Sequence, residues 1–455
     1  MNASGARTSI WWLNPCWILV APLAILSCIA ALIPEADYRL YWRMPKVFCA
    51  ADVVLCLWVA GAFSMGCIAA VVLDRALRRP GTPPFANAVV PPRWTMLTRL
   101  FYLGLIITAT AHLVWFALIV QETGFGILLG IFRGEAGRGY ELIGLRQETA
   151  IPGITSLTQV GIGTTLLGVF LAVQLGWKPV RWPLVLLVSF AVVRAMFLGE
   201  RLALIEVMLP SCALWLRLRG LRSLGRHSQF LMNLAPIAGA CLLYVLFTFA
   251  ESFRSWGYYS EHGESSLLWF SLVRLSGYYV TSLNNGALLW AELGDLGFPY
   301  STLEWLWRFP LIGLALRESL GGLNDPSIMF KTIFTEDGNP EFNNPTGVFV
   351  TFLDFGVAGA LVFWAGFGCV VMVLYLAFQR GSVAGLFLYP FIFMGLTDQV
   401  RIFYLAGGRT FAPWLFLFAT VLIARRELAA AALGGRAVPV QISEQDAQDS
   451  SRAEN

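Results

Sequence analysis

The sequence predicts an all-α integral membrane protein of about ten transmembrane helices with one large loop on the outer side. Three observations predict it: an apolar composition, a succession of apolar runs of spanning length, and arginines gathered in alternate connections. Of 455 residues, 57% are hydrophobic and 13% charged, with a mean hydropathy of +0.66, a balance that water-soluble domains do not have. A soluble enzyme is excluded. The net charge of +4 is small and follows the loops, so it speaks of orientation in a membrane, and no basic patch for nucleic acid is present.

Apolar runs lie at residues 12–33, 47–73, 100–121, 153–175, 184–198, 202–216, 230–250, 348–378, 383–397 and 411–424. Arg75, Arg78, Arg79, Arg93 and Arg99 separate the second run from the third, Lys178 and Arg181 the fourth from the fifth, and Arg217, Arg219, Arg222 and Arg226 the sixth from the seventh. Cationic loops stay in the cytoplasm, and Arg380, Arg425 and Arg426 fall on that same side by parity, so both termini are expected inside. The first run follows a leader holding only Arg7, which favours a retained anchor over a cleaved signal. Ile25-Leu26-Ser27-Cys28 loosely resembles a lipobox, but losing this span would upset the parity. Residues 1–433 therefore read as one polytopic domain, and 434–455, rich in Gln, Ser, Asp and Glu, as a disordered cytoplasmic tail.

Parity puts residues 252–347 outside, a loop far longer than a plain connection. Its apolar stretches 266–290 and 305–316 could be misread as two more spans. If both crossed, the connector with Glu292, Asp295 and Glu304 would be cytoplasmic without one lysine or arginine. They read instead as interfacial or re-entrant helices roofing a cavity. No internal repeat of the kind many transporters carry is evident.

The eight cysteines lie inside apolar segments without metal-ligand or disulfide spacing, and read as packing residues. Three histidines and no HExxH, CxxC or Walker-type loop leave metal, redox and ATP chemistry without their usual carriers, so no cofactor is expected. Arginines, carboxylates, amides and tyrosines remain. Arg194 and Arg201 are seven residues apart in a charged corner with Glu200 and Glu206, a spacing that puts both arginines on one face about 10 Å apart on a continuous helix, unless Gly199 turns the chain. They are placed to bind an anion, or Arg201 simply pairs with Glu200 or Glu206, or snorkels. The outer loop adds Glu251, Arg254, His262 and Arg274, then Tyr278 with Asn284, Asn285 and Gly286. Rings and amides in that order suit a sugar, and tyrosines also serve as interfacial anchors. His262 is a surface histidine or a general base. Asn343 and Asn344, before Pro345, open the next helix, in which Asp354 is a lone carboxylate that calls for a partner, such as an arginine of the corner. Asp398 and Arg401, with Arg409 nearby, make a second charged edge, readable as an i,i+3 ion pair. Asp52 and His112 are intramembrane, the first placed to snorkel and the second to bridge helices.

Leu198-Gly199-Glu200-Arg201 before an apolar run, Tyr278 to Gly286 in the outer loop, and Asn343-Asn344-Pro345-Thr346-Gly347 with Asp354-Phe355-Gly356-Val357-Ala358-Gly359 together resemble the oligosaccharide repeat-unit polymerases, the O-antigen polymerase (Wzy-type) family of bacterial envelopes. The resemblance covers residues 94–425 through topology and these short motifs. It implies a metal-independent, GT-C-like membrane glycosyltransferase of the inner membrane. Such an enzyme joins undecaprenyl-diphosphate-linked oligosaccharide units at the periplasmic face, in O-antigen or exopolysaccharide synthesis, alongside a flippase and a chain-length regulator. The family carries more arginines in a second outer loop than this chain does. The related O-antigen ligases use a histidine in the large loop, which keeps His262 and that activity in view, and a lipid-linked oligosaccharide flippase would also want cationic cavities. On the polymerase reading Arg201 holds the diphosphate, and Asp354, Glu200 and His262, in falling order, are candidates for the base.

Overall fold

The computed structural model describes residues 10–77, 94–132, 151, 153–197, 202–219, 226–254, 256–261, 266–309, 312–319 and 326–434. Among them 85% are helical and none is in a strand. Helix α1 (Pro15–Leu32) starts where Asn14 accepts the Cys16 amide with proline at the first helical position, and α2 (Glu35–Trp42) ends on left-handed Arg43. After α3 (Ala50–Leu77) comes α4 (Thr95–Phe132), broken at Gly124, then α5 (Ile154–Leu157), α6 (Val160–Leu175), α7 (Arg181–Phe197) and α8 (Leu202–Arg219). They are followed by α9 (Arg226–Asn233), α10 (Ala235–Arg254), α11 (Trp256–Glu261) and the long α12 (Leu267–Leu293). Three short helices, α13 (Glu304–Trp307), α14 (Ile312–Ser319) and α15 (Pro326–Glu336), lead to α16 (Phe349–Arg380), α17 (Val383–Thr397) and α18 (Phe411–Gly434).

The protein is an all-α, multi-pass membrane protein. Among the described residues, six stretches are long and apolar enough to cross: Pro15–Leu32, Ala50–Leu77, Thr95–Glu122, Ile154–Leu175, Ala235–Ser252 and Phe349–Arg380, with Val383–Thr397 apolar but shorter. In lipid, apolar side chains gain little by meeting one another, so helix pairs are fixed by close approach and by polar contacts. The α3–α16 pair is built this way. A Cβ on Gly66 would overlap the Ala365 carbonyl, and one on Gly368 the Phe63 carbonyl, so only glycine lets the two backbones run side by side. An ion pair of Asp74 with Arg380 closes one end of this pair, and Phe48 against Phe349 marks the other.

That second end carries the charged and amide side chains of interest. Helix α12 is tied to it along most of its length. The Trp42 indole donates to the Val273 carbonyl (3.2 Å), Asn284 meets residues 45 to 48, Gly286 packs on Thr346 and Phe349, and the Trp290 ring meets Phe352 at 5.9 Å. Beyond α12 the chain stays there: Leu296 donates its N–H to the Leu353 carbonyl (2.7 Å). That carbonyl is available because Gly356, at φ 65°, interrupts the α16 ladder three residues later.

Candidate functional site

Glu206 sits in an apolar helix, completely buried, where an uncompensated carboxylate would cost several kcal/mol. Three groups from distant parts of the chain compensate it. The Tyr404 hydroxyl donates to Oε1 (2.8 Å), Arg409 Nη2 forms an ion pair with the same oxygen, and the Gln159 amide donates to Oε2 (3.1 Å). The Gln159 amide is oriented by its hydrogen bonds, so that its oxygen accepts from Arg194 Nη2 and Nη1 at 2.8 and 3.3 Å. Arg194 is 5% exposed, with the Trp115 ring 5.9 Å from its guanidinium. The Arg409 guanidinium lies 5.6 Å from the Tyr404 ring centre.

Beside this cluster, Arg401 grips both oxygens of Asp398, Nε to Oδ1 at 2.9 Å and Nη2 to Oδ2 at 2.8 Å. The pair is the i,i+3 contact read from sequence. Burial pushes the Asp398 carboxyl up, against the pull of Arg401 and Arg409, with Glu206 adding to the rise, so the two nodes share one field. Burial likewise drives the Tyr404 phenol well above its ordinary range, and Glu206 reinforces it, so this hydroxyl remains a donor. The cluster thus holds three arginines, 194, 401 and 409, against two carboxylates, 206 and 398. The balance is one positive charge at a helix end, which suits an anion with several acceptor oxygens.

The other expected residues go elsewhere. Asp354 has backbone and hydroxyl partners where an arginine was expected. Its Oδ1 accepts the Ser301 N–H (3.0 Å) and its Oδ2 the Thr302 N–H (2.6 Å) and hydroxyl (2.7 Å), pinning the turn that precedes α13. Arg274 is buried between Glu341 (2.7 Å) and Glu251 (3.5 Å), with the rings of Tyr259, Phe270 and Phe342 around it, and so joins α10, α11 and α12 to the approach of α16. Asn284 clamps the α2–α3 connection: its oxygen accepts from Val47 (2.7 Å) and Phe48 (3.0 Å), and its nitrogen donates to the Pro45 carbonyl (2.9 Å). Asn285 donates to the carbonyls of Phe342 and Asn344. These amides hold backbone. Tyr278 packs against Phe247 and Phe342, and Asn343 is exposed.

Arg201, Glu200 and His262 lie outside the described residues, as does the side chain of Arg254, the last residue of α10. Glu206, read from sequence as a partner for Arg201, is engaged by Arg409, Tyr404 and Gln159. Asp52 caps the start of α3 by accepting the Cys49 N–H (2.8 Å), and His112 bonds to the Thr108 carbonyl (2.8 Å) and stacks on Phe190 of the neighbouring α7 at 4.6 Å. Gln159 and Tyr404 carried no signal in the sequence. Glu206 did, as a carboxylate inside an apolar run, and Arg409 did, as a cation just after two glycines. Among the described residues, no group of three His, Cys, Asp or Glu side chains is disposed to hold a metal ion. Comparison of the chain with protein-family models, with curated proteins and with solved structures finds no match to any of them.

Proposed function

We propose that this chain is a metal-independent membrane glycosyltransferase that polymerises undecaprenyl-diphosphate-linked oligosaccharide repeat units at the periplasmic face of the inner membrane. The observation that carries the reading is the convergence of Arg194, from α7, with Arg401 and Arg409, from the connection between α17 and α18, around Glu206 and Asp398 at one end of the bundle. A lipid diphosphate is a good leaving group whose developing charge needs fixed donors, and guanidinium groups held by carboxylates and an amide before the substrate arrives are such donors. The motif resemblance, with its Asn343 to Gly347 stretch and its Asp354 to Gly359 run, adds the substrate class.

In this reading α7, α8, α17 and α18 complete a ten-span, GT-C-like domain, and α12 to α15 form the roof of a periplasmic cavity. The attachment of α12 to the Trp42 end of the bundle supports the roof. Substrate delivery by a flippase and length control by a partner protein complete the pathway.

Analysis of lipid-linked glycans in a deletion strain tests the proposal. Single repeat units should remain on the carrier or on lipid A, and long chains should vanish. Units trapped on the cytoplasmic leaflet would make the protein a flippase, and polymer formed but not transferred to lipid A would make it a ligase. Either result refutes the polymerase reading.

A further inference from the structure

The three guanidinium groups of the cluster are not equivalent. Arg401 has its fork filled by both oxygens of Asp398, and its side chain is 20% exposed. Arg194 is walled in between the Gln159 amide and the Trp115 ring. The Arg409 side chain is 35% exposed, the most open of the three, and it is nevertheless held in place. Glu206, itself buried, takes its Nη2, and the Tyr404 ring supports its guanidinium. Glu206 cannot swing away, because Tyr404 and Gln159 hold its two oxygens. Beside Arg409, the aliphatic stem of the exposed Arg308 lies along Gly408, so a second cation borders the same turn.

We infer that Arg409 is the residue that takes the diphosphate of the lipid carrier, and that Glu206 is a positioning residue that aims it. The assignment rests on the polymerase reading for the nature of the ligand, and on the unequal exposure of the arginines for the residue. Arg194 and Arg401 then act as scaffold and as a source of field. Glu206 restrains Arg409 before binding, so little side-chain freedom is left to lose when the anion arrives.

The test is binding of farnesyl diphosphate to the purified full-length protein in detergent, measured by calorimetry, with farnesyl monophosphate, inorganic pyrophosphate and phosphatidylglycerol as comparisons. Arg409→Gln should weaken farnesyl diphosphate by about tenfold to a hundredfold, the size expected for losing a charge-assisted bidentate contact. Arg409→Lys should recover only part of it. Because Arg409→Gln leaves Glu206 buried without its cation, the Arg409→Gln/Glu206→Gln double variant removes both charges; the new amide can accept from Gln159 through its oxygen and donate to the Tyr404 hydroxyl oxygen through its nitrogen, so the variant should fold and still bind weakly. Glu206→Gln alone should shrink the preference for diphosphate over monophosphate, a ratio that a change in the amount of folded protein does not move. Pyrophosphate should compete in the wild type and lose affinity in parallel with the lipid in Arg409→Gln; phosphatidylglycerol should not compete. Wild-type affinity in the folded double variant overturns the role of Arg409, and competition by phosphatidylglycerol overturns the diphosphate assignment. A wild-type protein that binds no farnesyl diphosphate refutes the polymerase reading itself, and the inference with it.

Discussion

Asp354 separates two kinds of role for one carboxylate. Its oxygens receive three hydrogen bonds at 3.0, 2.6 and 2.7 Å, all from Ser301 and Thr302, and two of the donors are backbone N–H groups that no substitution at 301 or 302 other than proline would remove. Hydrogen bonds to an ionised acceptor contribute about 1.5–3 kcal/mol each and are not additive, and stranding the donors adds desolvation, so Asp354→Ala should cost about 3–5 kcal/mol. Asp354→Asn keeps one acceptor oxygen but turns an amide N–H toward a donor, and should cost about 1–3 kcal/mol. Denaturant unfolding of the purified protein measures both, and protease cleavage between residues 295 and 309 reports release of the turn. The expected result is that polymer formation in cells falls in proportion to the protein left in the membrane. If Asp354→Asn has normal stability and abundance but has lost polymer formation by about a thousandfold, the carboxylate reacts with substrate and the anchoring argument is wrong.

Gly66→Ala should force α3 from α16 and lower stability by about 1–3 kcal/mol, seen as a lower thermal midpoint in detergent; an unchanged midpoint would mean the close approach is not rigid. Arg274→Ala removes the cation held between Glu251 and Glu341 and should cost about 3–5 kcal/mol in unfolding experiments, with Arg274→Lys recovering only part; equal stability of the alanine variant would show the pair to be dispensable. The raised pKa of Asp398 means that the folded protein binds this proton more tightly than the unfolded chain. Its linkage stabilises fully below the ordinary value of 3.8 and is lost as pH rises through the folded value. The stability of the wild type relative to Asp398→Asn should therefore fall across that window, and a flat difference in pH-scanned melting would refute the shift. A cysteine replacing the exposed Asp295 should react with an impermeant thiol reagent from outside the cell, while a reporter fused near Arg226 stays inside; labelling only after permeabilisation would mean that the stretches flanking Asp295 cross the membrane.

The helical membrane class was legible because it depends on the length of apolar runs, a one-dimensional property. The run at 383–397 coincides with α17, and the run at 348–378 differs from α16 by one residue at its start and two at its end. The bend at Gly356 was not legible, since a glycine inside an apolar run reads the same whether its helix is straight or broken. The site was legible in kind. Glu206, Asp354 and Arg194 each announce, by standing in apolar surroundings, that a partner must exist. Which partner was not legible, because Tyr404 and Arg409 reach Glu206 across 198 and 203 residues of chain, and Asp354 is met by backbone N–H groups that every non-proline residue carries. The backbone contacts of the amides at 284 and 285 were not legible for the same reason: asparagine that binds a sugar and asparagine that clamps a loop look identical until the loop is placed.

Charge balance sets what the cluster can hold unaided. Three guanidinium groups against two carboxylates leave one positive charge, enough for a single phosphate-like charge, whereas a diphosphate ester carries about two or more near neutral pH. Holding a diphosphate therefore requires a further cation close to Arg409. Among the described residues, Arg308 meets that requirement best. It lies along Gly408 and pairs with the half-buried Glu304 four residues earlier in α13, an i,i+4 arrangement worth little in water and readily exchanged for a stronger anion. The buried pairs thus fix the geometry and hold one charge in place, while Arg308 is the cation that can turn from Glu304 to the anion. Fixed and recruitable cations on neighbouring turns suit a site that must grip a diphosphate during transfer and release it afterwards.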